Sequence, residues 1–250
     1  MSKPFLSIVY PAYNEGLKIE EALTLTVDFV DARNLTAEIL VVDDGSRDDT
    51  KHKATQFAVH EPRVRVLSHT PNHGKGYAVK RGMLEAAGEF RVFLDVDMAT
   101  PLAAIDRALP LLEDGSELVI GSRHLPESEI HIHQSLVRET MGKVFRWLAL
   151  RLLPLDVSDI TCGFKGMPDR VAQMLFSVQR EQGWAFDAEM LFIARKWGLR
   201  LDEIPVTWTD SGDTRVRALS AAYESFVELL RIRRHDRRGA YAGPQPGADA

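Results

Sequence analysis

The first half of the chain alternates short apolar runs with longer amphipathic stretches. The short runs are rich in β-branched and aromatic residues and stop at polar residues, which predicts β-strands. The predicted strands are Phe5–Tyr10, Glu38–Val42, Arg63–Leu67, Arg91–Leu94 and Glu117–Gly121. The stretches between them have helical periodicity and include Tyr77–Ala87 and Pro101–Leu112. This alternation predicts an α/β fold with a mostly parallel central sheet flanked by helices.

The segment Leu136–Leu153 predicts an amphipathic helix. One stripe of this helix is apolar and is expected to pack on the domain; its members are Val137, Met141, Val144, Phe145, Leu148 and Leu152. The opposite face mixes arginines and a lysine with Trp147, Leu150 and Leu153. That composition suits a helix lying at the surface of an anionic membrane. The alternative is a helix buried by the protein itself or by a partner.

The remaining patterns set the expected domain limits. Leu201–Trp208 predicts one strand and Ala218–Arg234 a last helix, whereas the polar stretch 124–134 predicts a mobile loop. Metal binding by His131 and His133 is the alternative for that loop. We expect one domain over residues 1–235 and a disordered tail over residues 236–250, because the end of the chain is rich in Gly, Pro and Ala.

Composition narrows the class of protein. The chain has 250 residues, of which 45% are hydrophobic, enough for a sizeable core. Its net charge of −5 gives no general case for binding nucleic acid. The single cysteine, Cys162, cannot form an intrachain disulfide, which favours the cytosol. No apolar stretch approaches the roughly 20 residues that span a bilayer, so we expect any membrane contact to be peripheral.

Polar clusters follow three of the predicted strands. They are Pro11–Glu15, Asp43-Asp44, and the pair Asp95 and Asp97. Ligands of open parallel sheets bind outside the carboxyl ends of the strands, where these clusters should meet. Two carboxylates separated by one residue can face one point, and Mg²⁺ and Mn²⁺ prefer such oxygen ligands. The pattern therefore predicts a site for a nucleoside diphosphate and a metal, with a simple surface turn at D-x-D as the alternative.

A set of motifs carries a specific family resemblance. In order they are PAYNE at 11–15, VVDDGSRDDT at 41–50, NHGKGYAVKRG at 72–82, DVD at 95–97 and GSR at 121–123. They resemble the family 2 glycosyltransferases, which implies the GT-A fold. ITCGFKGMP at 160–168 and WAFDAEML at 184–191 are similar to the branch that uses dolichyl or polyprenyl phosphate. The resemblance covers roughly residues 4–235.

The resemblance implies a binding role for several residues. Those that would hold the nucleoside are Pro11, Tyr13 and Glu15, the last near the ribose, with Val42 and Asp44 lining the base pocket. Those that would hold the donor diphosphate are Asp95, Val96 and Arg123, with Asp95 and Asp97 as metal ligands. Independently of the resemblance, Gly74-Lys75-Gly76 offers a flexible backbone and a cation beside the expected phosphate site, with a solvated lysine as the alternative. Some relatives have a third metal ligand two residues beyond the D-x-D, where this chain has Ala99.

Further residues are implied for the acceptor and for the chemistry. Arg138 matches the arginine that meets a lipid phosphate, and Arg215 matches a cation that touches a phosphate, with Arg217 as its alternative. Asp97, Asp159 and Asp187 are the acids with implied catalytic roles, and either of the last two would orient the sugar or the acceptor. Asp187 as a helix cap and Asp159 as a turn residue are the structural alternatives.

Together these expectations describe an inverting, metal-assisted hexosyltransferase. The donor would be a nucleotide-sugar, UDP-glucose in preference to a GDP-sugar, and the cofactor would be Mg²⁺ or Mn²⁺. The acceptor would be a polyprenyl or dolichyl phosphate at the cytoplasmic face of a membrane. One alternative is a transferase with a soluble saccharide or small-molecule acceptor. Another is a non-catalytic peripheral membrane protein that binds a nucleotide-sugar.

Overall fold

The computed structural model describes residues 3–132, 136–209 and 218–243. Within these ranges, the side chains of residues 131, 132, 136–139, 141, 143 and 218–223 are not described. The described strands are β1 (Leu6–Ala12), β2 (Ala37–Asp43), β3 (Val64–Ser68), β4 (Phe90–Phe93), β5 (Leu118–Ser122), β6 (Glu129–Ile132), β7 (Lys165–Pro168), β8 (Leu201–Pro205) and β9 (Thr207–Thr209). The described helices are α1 (Ile19–Ala32), α2 (Thr50–His60), α3 (Lys75–Glu85), α4 (Ala103–Glu113), α5 (Leu136–Leu152), α6 (Asp169–Val178), α7 (Phe186–Lys196) and α8 (Ala218–Arg237).

Seven strands form one sheet in the order β3-β2-β1-β4-β7-β5-β8. The β1–β2, β1–β4, β2–β3 and β5–β8 pairs are parallel, whereas β7 runs antiparallel to both of its neighbours. The predicted α/β fold with a mostly parallel central sheet is confirmed. Strand order reverses between β1 and β4, and ligands of such sheets bind in the crevice at this switch point.

Alternating side chains divide the core between the two faces of the sheet. In β1, Val9 joins a cluster with α3, α6 and α7, whereas Ile8 and Tyr10 join a second cluster with α1 and α4. Leu40 and Val41 divide in the same way in β2. This period of two is the consequence of the pleat, and it leaves the central strands covered on both faces.

Several predicted elements differ from the structure. Pro205 ends β8, and β9 leaves the main sheet to pair with β6, so the single strand predicted over Leu201–Trp208 is wrong. Residues 129–132 form β6 where a mobile loop was expected, and His133 lies outside the described residues. Lys75 begins α3 instead of preceding the helix, directly after Gly74, whose φ of 106° favours glycine.

The end of the chain is more ordered than the sequence predicts. Helix α8 continues to Arg237, and the Tyr241 side chain is fully buried, with its hydroxyl hydrogen-bonded to Glu189. The expected disorder is therefore wrong for residues 236–243, and residues 244–250 lie outside the described part of the chain.

Helix α5 packs on α8, and Phe145, Leu148 and Leu152 of the predicted stripe pack against the core as expected. Ala149 and Leu153 are fully buried against Leu229 and Ile232 of α8. Val144, expected to pack on the domain, is 52% exposed. Leu153, which the sequence placed on the opposite face, is part of the buried surface, and that part of the prediction is wrong.

Candidate active site

The D-x-D acids lie just beyond the carboxyl end of β4, next to the switch point. Lys75 Nζ lies 2.5 Å from Asp95 Oδ1, and Asp97 Oδ1 accepts a hydrogen bond from the Ala99 amide at 3.0 Å. Val96, between the two acids, is buried. Burial acts to lower the pKa of Lys75, but nearby carboxylates, Asp95 foremost, outweigh it and raise that pKa. The positive charge of the Lys75 ammonium is thus stabilised by the carboxylates of this site.

The backbone turns sharply after the second acid. Met98 has φ of 53°, and its amide donates to the Asp95 carbonyl at 3.2 Å. A bulky residue with positive φ is uncommon, and such conformations cluster at functional sites. This tight turn fixes both carboxylates on one short segment.

The donor set suits a divalent cation. Asp95 and Asp97 offer carboxylate oxygens, and Mg²⁺ characteristically takes one or two carboxylates and completes its shell with water and substrate phosphates. Within the described residues no cluster of three or more His, Cys, Asp or Glu side chains forms a closed metal site. A cation held here would therefore keep coordination positions for a diphosphate.

A third acid, Asp187, lies close to Lys75 and the D-x-D acids. It is the second residue of α7 and is buried, and Lys165 Nζ lies 2.6 Å from its Oδ1. Lys165 is itself fully buried and also donates to the Cys162 carbonyl at 2.7 Å. Burial raises the pKa of Asp187 against the opposing charges of Lys165 and Lys75. A raised pKa makes this carboxylate a better proton acceptor than an ordinary aspartate.

Asp159 is committed to Arg123. Arg123 Nε and Nη2 donate to the two Asp159 oxygens at 2.7 and 2.9 Å, and the Arg123 amide donates at 3.1 Å. Burial acts to raise the pKa of Asp159, but these hydrogen bonds and the guanidinium charge lower it to about 2. Asp159 therefore stays ionised at neutral pH and is a poor proton acceptor. Its evident effect is to hold the Arg123 guanidinium in one orientation.

Asp44 uses all of its hydrogen-bonding capacity within the protein. Oδ1 accepts from His69 Nε2 at 2.6 Å and the His73 amide at 2.8 Å, and Oδ2 accepts from Asn72 Nδ2 at 2.7 Å and the Gly74 amide at 2.8 Å. Four bonds match the lone-pair sites of a carboxylate. Asp44 thus fixes the loop that leads into α3, and its role at a nucleobase stays a prediction.

The other predicted nucleoside contacts lie at the same edge of the sheet. Pro11 pairs in register with Val42, and Tyr13 is 38% exposed. Val42 is fully buried between β1 and β3, so the structure does not support its predicted place in the base pocket. The Glu15 carbonyl accepts hydrogen bonds from the Lys18 and Ile19 amides at the start of α1. The Arg138 side chain and Arg215 fall outside what the structure describes, and their roles stay predictions.

Sequence reasoning missed Lys165. Its neighbours Phe164 and Met167 are fully buried, and the lysine stands among them as the one charge in GFKGM. A charged residue is almost never fully buried unless it is paired. An isolated lysine inside an apolar strand is thus a signal for a buried partner, here Asp187.

The architecture, a mostly parallel sheet flanked by helices, is that of the GT-A fold. Mannosyl-3-phosphoglycerate synthase from Rubrobacter xylanophilus superposes with a TM-score of 0.70 at 22% identity, covering 98% of this chain and 78% of that one. Glucosyl-3-phosphoglycerate synthase from Mycobacterium tuberculosis, solved with Mn²⁺, UDP-glucose and phosphoglyceric acid, gives 0.66 at 21% identity, covering 98% and 82%. At these identities the likeness shows the fold.

Residues 7–176 match the family described as Glycosyl transferase family 2. The chain belongs to this family and is a glycosyltransferase. A dolichyl-phosphate beta-glucosyltransferase of Trichomonas vaginalis, ALG5D, is 32% identical over 238 residues, covering 91% of this chain and 72% of that protein. The dolichyl-phosphate beta-glucosyltransferase of Homo sapiens is 29% identical over 249 residues, with coverages of 94% and 77%.

Proposed function

We propose that the chain transfers glucose from UDP-glucose to a dolichyl or polyprenyl phosphate with the help of Mg²⁺ or Mn²⁺. The observation that carries this proposal is the meeting of Asp95, Asp97, Lys75 and Asp187 at the switch point of the sheet. The names of the relatives support glucose and the lipid phosphate. The neighbour solved with Mn²⁺ and UDP-glucose supports the donor and the metal.

Each charged residue has a distinct part in this proposal. Asp95 and Asp97 would hold the divalent cation, which when bound supplies Lewis-acid stabilisation of a departing diphosphate. Lys75 and Arg123 add positive charge at the same edge of the sheet, where negative charge develops on the leaving group. Asp159 keeps Arg123 oriented through two hydrogen bonds.

The acceptor's own chemistry limits what the acids must do. A phosphate monoester has a second pKa of about 6, so it is largely ionised at neutral pH and attacks without losing a proton. With such an acceptor no general base is required, and Asp187, together with Lys165, would orient the sugar or the acceptor. A hydroxyl acceptor would instead need a general base. Asp187, whose pKa is raised, suits that role better than Asp159, whose pKa is lowered.

An exposed stripe on α5 supports contact with a membrane surface. Thr140, Val144, Trp147 and Arg151 are all exposed and follow one another at helical spacing. Trp147 is 65% exposed, and Leu230 of α8 is 45% exposed. Tryptophan beside arginine is typical of helices that lie in the headgroup region. No helix among the described residues is long and apolar enough to cross a bilayer.

Replacing Trp147 by serine should weaken binding to vesicles that contain anionic phospholipid. We expect about a tenfold loss of affinity, because the burial of one large apolar side chain is removed. The measurement is co-sedimentation over a range of lipid concentrations. Val59→Ser removes an apolar side chain that is 74% exposed at the end of α2, and it should bind like the wild type. Equal losses in both variants would contradict a membrane-facing α5.

A panel of labelled sugar nucleotides tests the reaction class. With Mn²⁺ and a short polyprenyl phosphate, label from UDP-glucose is expected in the organic phase. Consumption of donor with soluble sugar acceptors alone would overturn the lipid acceptor. Binding of donor without turnover under any of these conditions would contradict the proposed reaction.

A further inference from the structure

The segment between α6 and α7, the 179–185 loop, lies directly against the start of α3. The Tyr77 amide donates to the Gln182 carbonyl at 3.2 Å, and Gln179 Nε2 donates to the Gly76 carbonyl at 3.1 Å. The loop therefore adjoins the helical turn that presents Lys75 to Asp95. Neither the motifs nor the proposed mechanism uses this contact.

A carboxylate of α8 is hydrogen-bonded to this loop. Glu228 is buried, and its Oε2 accepts from the Ala185 amide at 2.8 Å. A Cβ at Gly183 would overlap Oε1 of this carboxylate, so the backbone passes as close to Glu228 as a glycine allows. Both residues that flank Trp184 thus lie against one side chain.

Trp184 itself faces outward over the site. Its ring is 42% exposed, and Lys75 Nζ lies 6.0 Å from the ring centroid. The same ammonium contacts Asp95 Oδ1. An exposed indole between two residues that lie against Glu228, beside the residues that would bind the diphosphate, is placed to meet whatever is attached to that diphosphate. Aromatic faces of this kind commonly line small-molecule sites.

We propose that Glu228 is a positioning residue that fixes the 179–185 loop so that Trp184 packs against the hexosyl group of the bound donor. The inference rests on the proposed function for its donor, a nucleoside diphosphate hexose, but it does not depend on the acceptor. It also explains why α8, which carries none of the described active-site groups, places a buried carboxylate so near the site.

Binding measurements with two ligands separate this role from a structural one. Glu228→Gln keeps one acceptor oxygen for the Ala185 amide but replaces the other, against which Gly183 packs, by an NH₂ group. We expect it to weaken binding of UDP-glucose with Mn²⁺ by roughly threefold to tenfold, the range of an aromatic contact. UDP has no hexose, and its affinity should stay within about twofold. Glu224→Gln, an exposed glutamate one turn earlier on α8, should bind both ligands like the wild type.

Trp184→Ala is the second variant to be tested in these binding measurements. It should cause the same selective loss for UDP-glucose, and adding Glu228→Gln should cost no further affinity, because both changes remove the same contact. Hydrogen exchange at the Ala185 amide should accelerate in Glu228→Gln, while α7 and α8 keep their protection. Multiplying losses in the double variant, or equal losses for UDP and UDP-glucose, would overturn the proposal.

These readouts need no acceptor. If the wild type binds UDP-glucose but fails to glucosylate a lipid phosphate, the proposed function fails while the role of Glu228 is still decided by the binding data. If the wild type prefers another sugar nucleotide, the comparison is made between that donor and its nucleoside diphosphate.

Discussion

Asp97→Asn should lower the rate of hexose transfer by at least about a hundredfold, the usual loss when one group that stabilises developing charge is removed. The amide oxygen can still accept the hydrogen bond from Ala99, which in the native protein measures 3.0 Å, so the turn after β4 is retained. The change removes one negative charge and one hard ligand for the cation. Initial rates at saturating UDP-glucose and a range of Mn²⁺ concentrations measure the effect.

A matched substitution controls for the loss of an aspartate as such. Asp28 is exposed on α1, and Asp28→Asn should retain the wild-type rate. Thermal unfolding of both variants should match that of the wild type. Transfer by Asp97→Asn at the wild-type rate would show that the D-x-D pair does not serve the reaction.

Asp187→Ala should lower the free energy of unfolding by about 3 to 5 kcal/mol, because it leaves a buried lysine without its counter-charge. Lys165 is fully buried, and apart from Asp187 its described partners are the Cys162 carbonyl and the face of Phe93. Transfer should fall as well, since the substitution removes a carboxylate beside Lys75. Urea unfolding followed by circular dichroism gives the stability change.

The double variant Lys165→Met, Asp187→Ala separates the two effects. Methionine fills the space of the lysine stem without a charge, and removing both members of a buried pair is far less destabilising than removing one. At least half of the lost stability should return, while transfer should stay low. Recovery of full transfer would show that this pair only supports the fold, and a single variant as stable as the wild type would refute the buried ion pair.

The sequence predicted the first half of the fold well because local pattern and burial agree there. β1 and β2 are mostly apolar and buried, and they lie inside the sheet, covered on both faces. β7 was not predicted, because its sequence Lys-Gly-Met-Pro has no strand pattern, and it becomes a strand only by pairing with β4 and β5. Tertiary context of this kind overrides local propensity.

The features of the site also differ in whether the sequence alone could predict them. Asp95 and Asp97 could be placed beyond the carboxyl end of β4 from sequence, since they follow its apolar run closely; that both face one point stays a prediction. The pairing of Asp159 with Arg123 and of Asp187 with Lys165 could not, because each joins residues from separate elements. The burial of Leu153, which periodicity placed on the opposite face, is another case. Long-range packing decides all three.

The structure of the product tests the central claim most directly. Wild-type protein is incubated with UDP-glucose, Mn²⁺ and a short polyprenyl phosphate, and the purified lipid product is examined by ³¹P and ¹H NMR. A β-linked glucosyl phosphodiester, absent from a parallel reaction with Asp97→Asn, is the predicted result. An unmodified lipid phosphate, with the glucose released to water or joined to a soluble acceptor, would contradict the assignment of the lipid phosphate as acceptor.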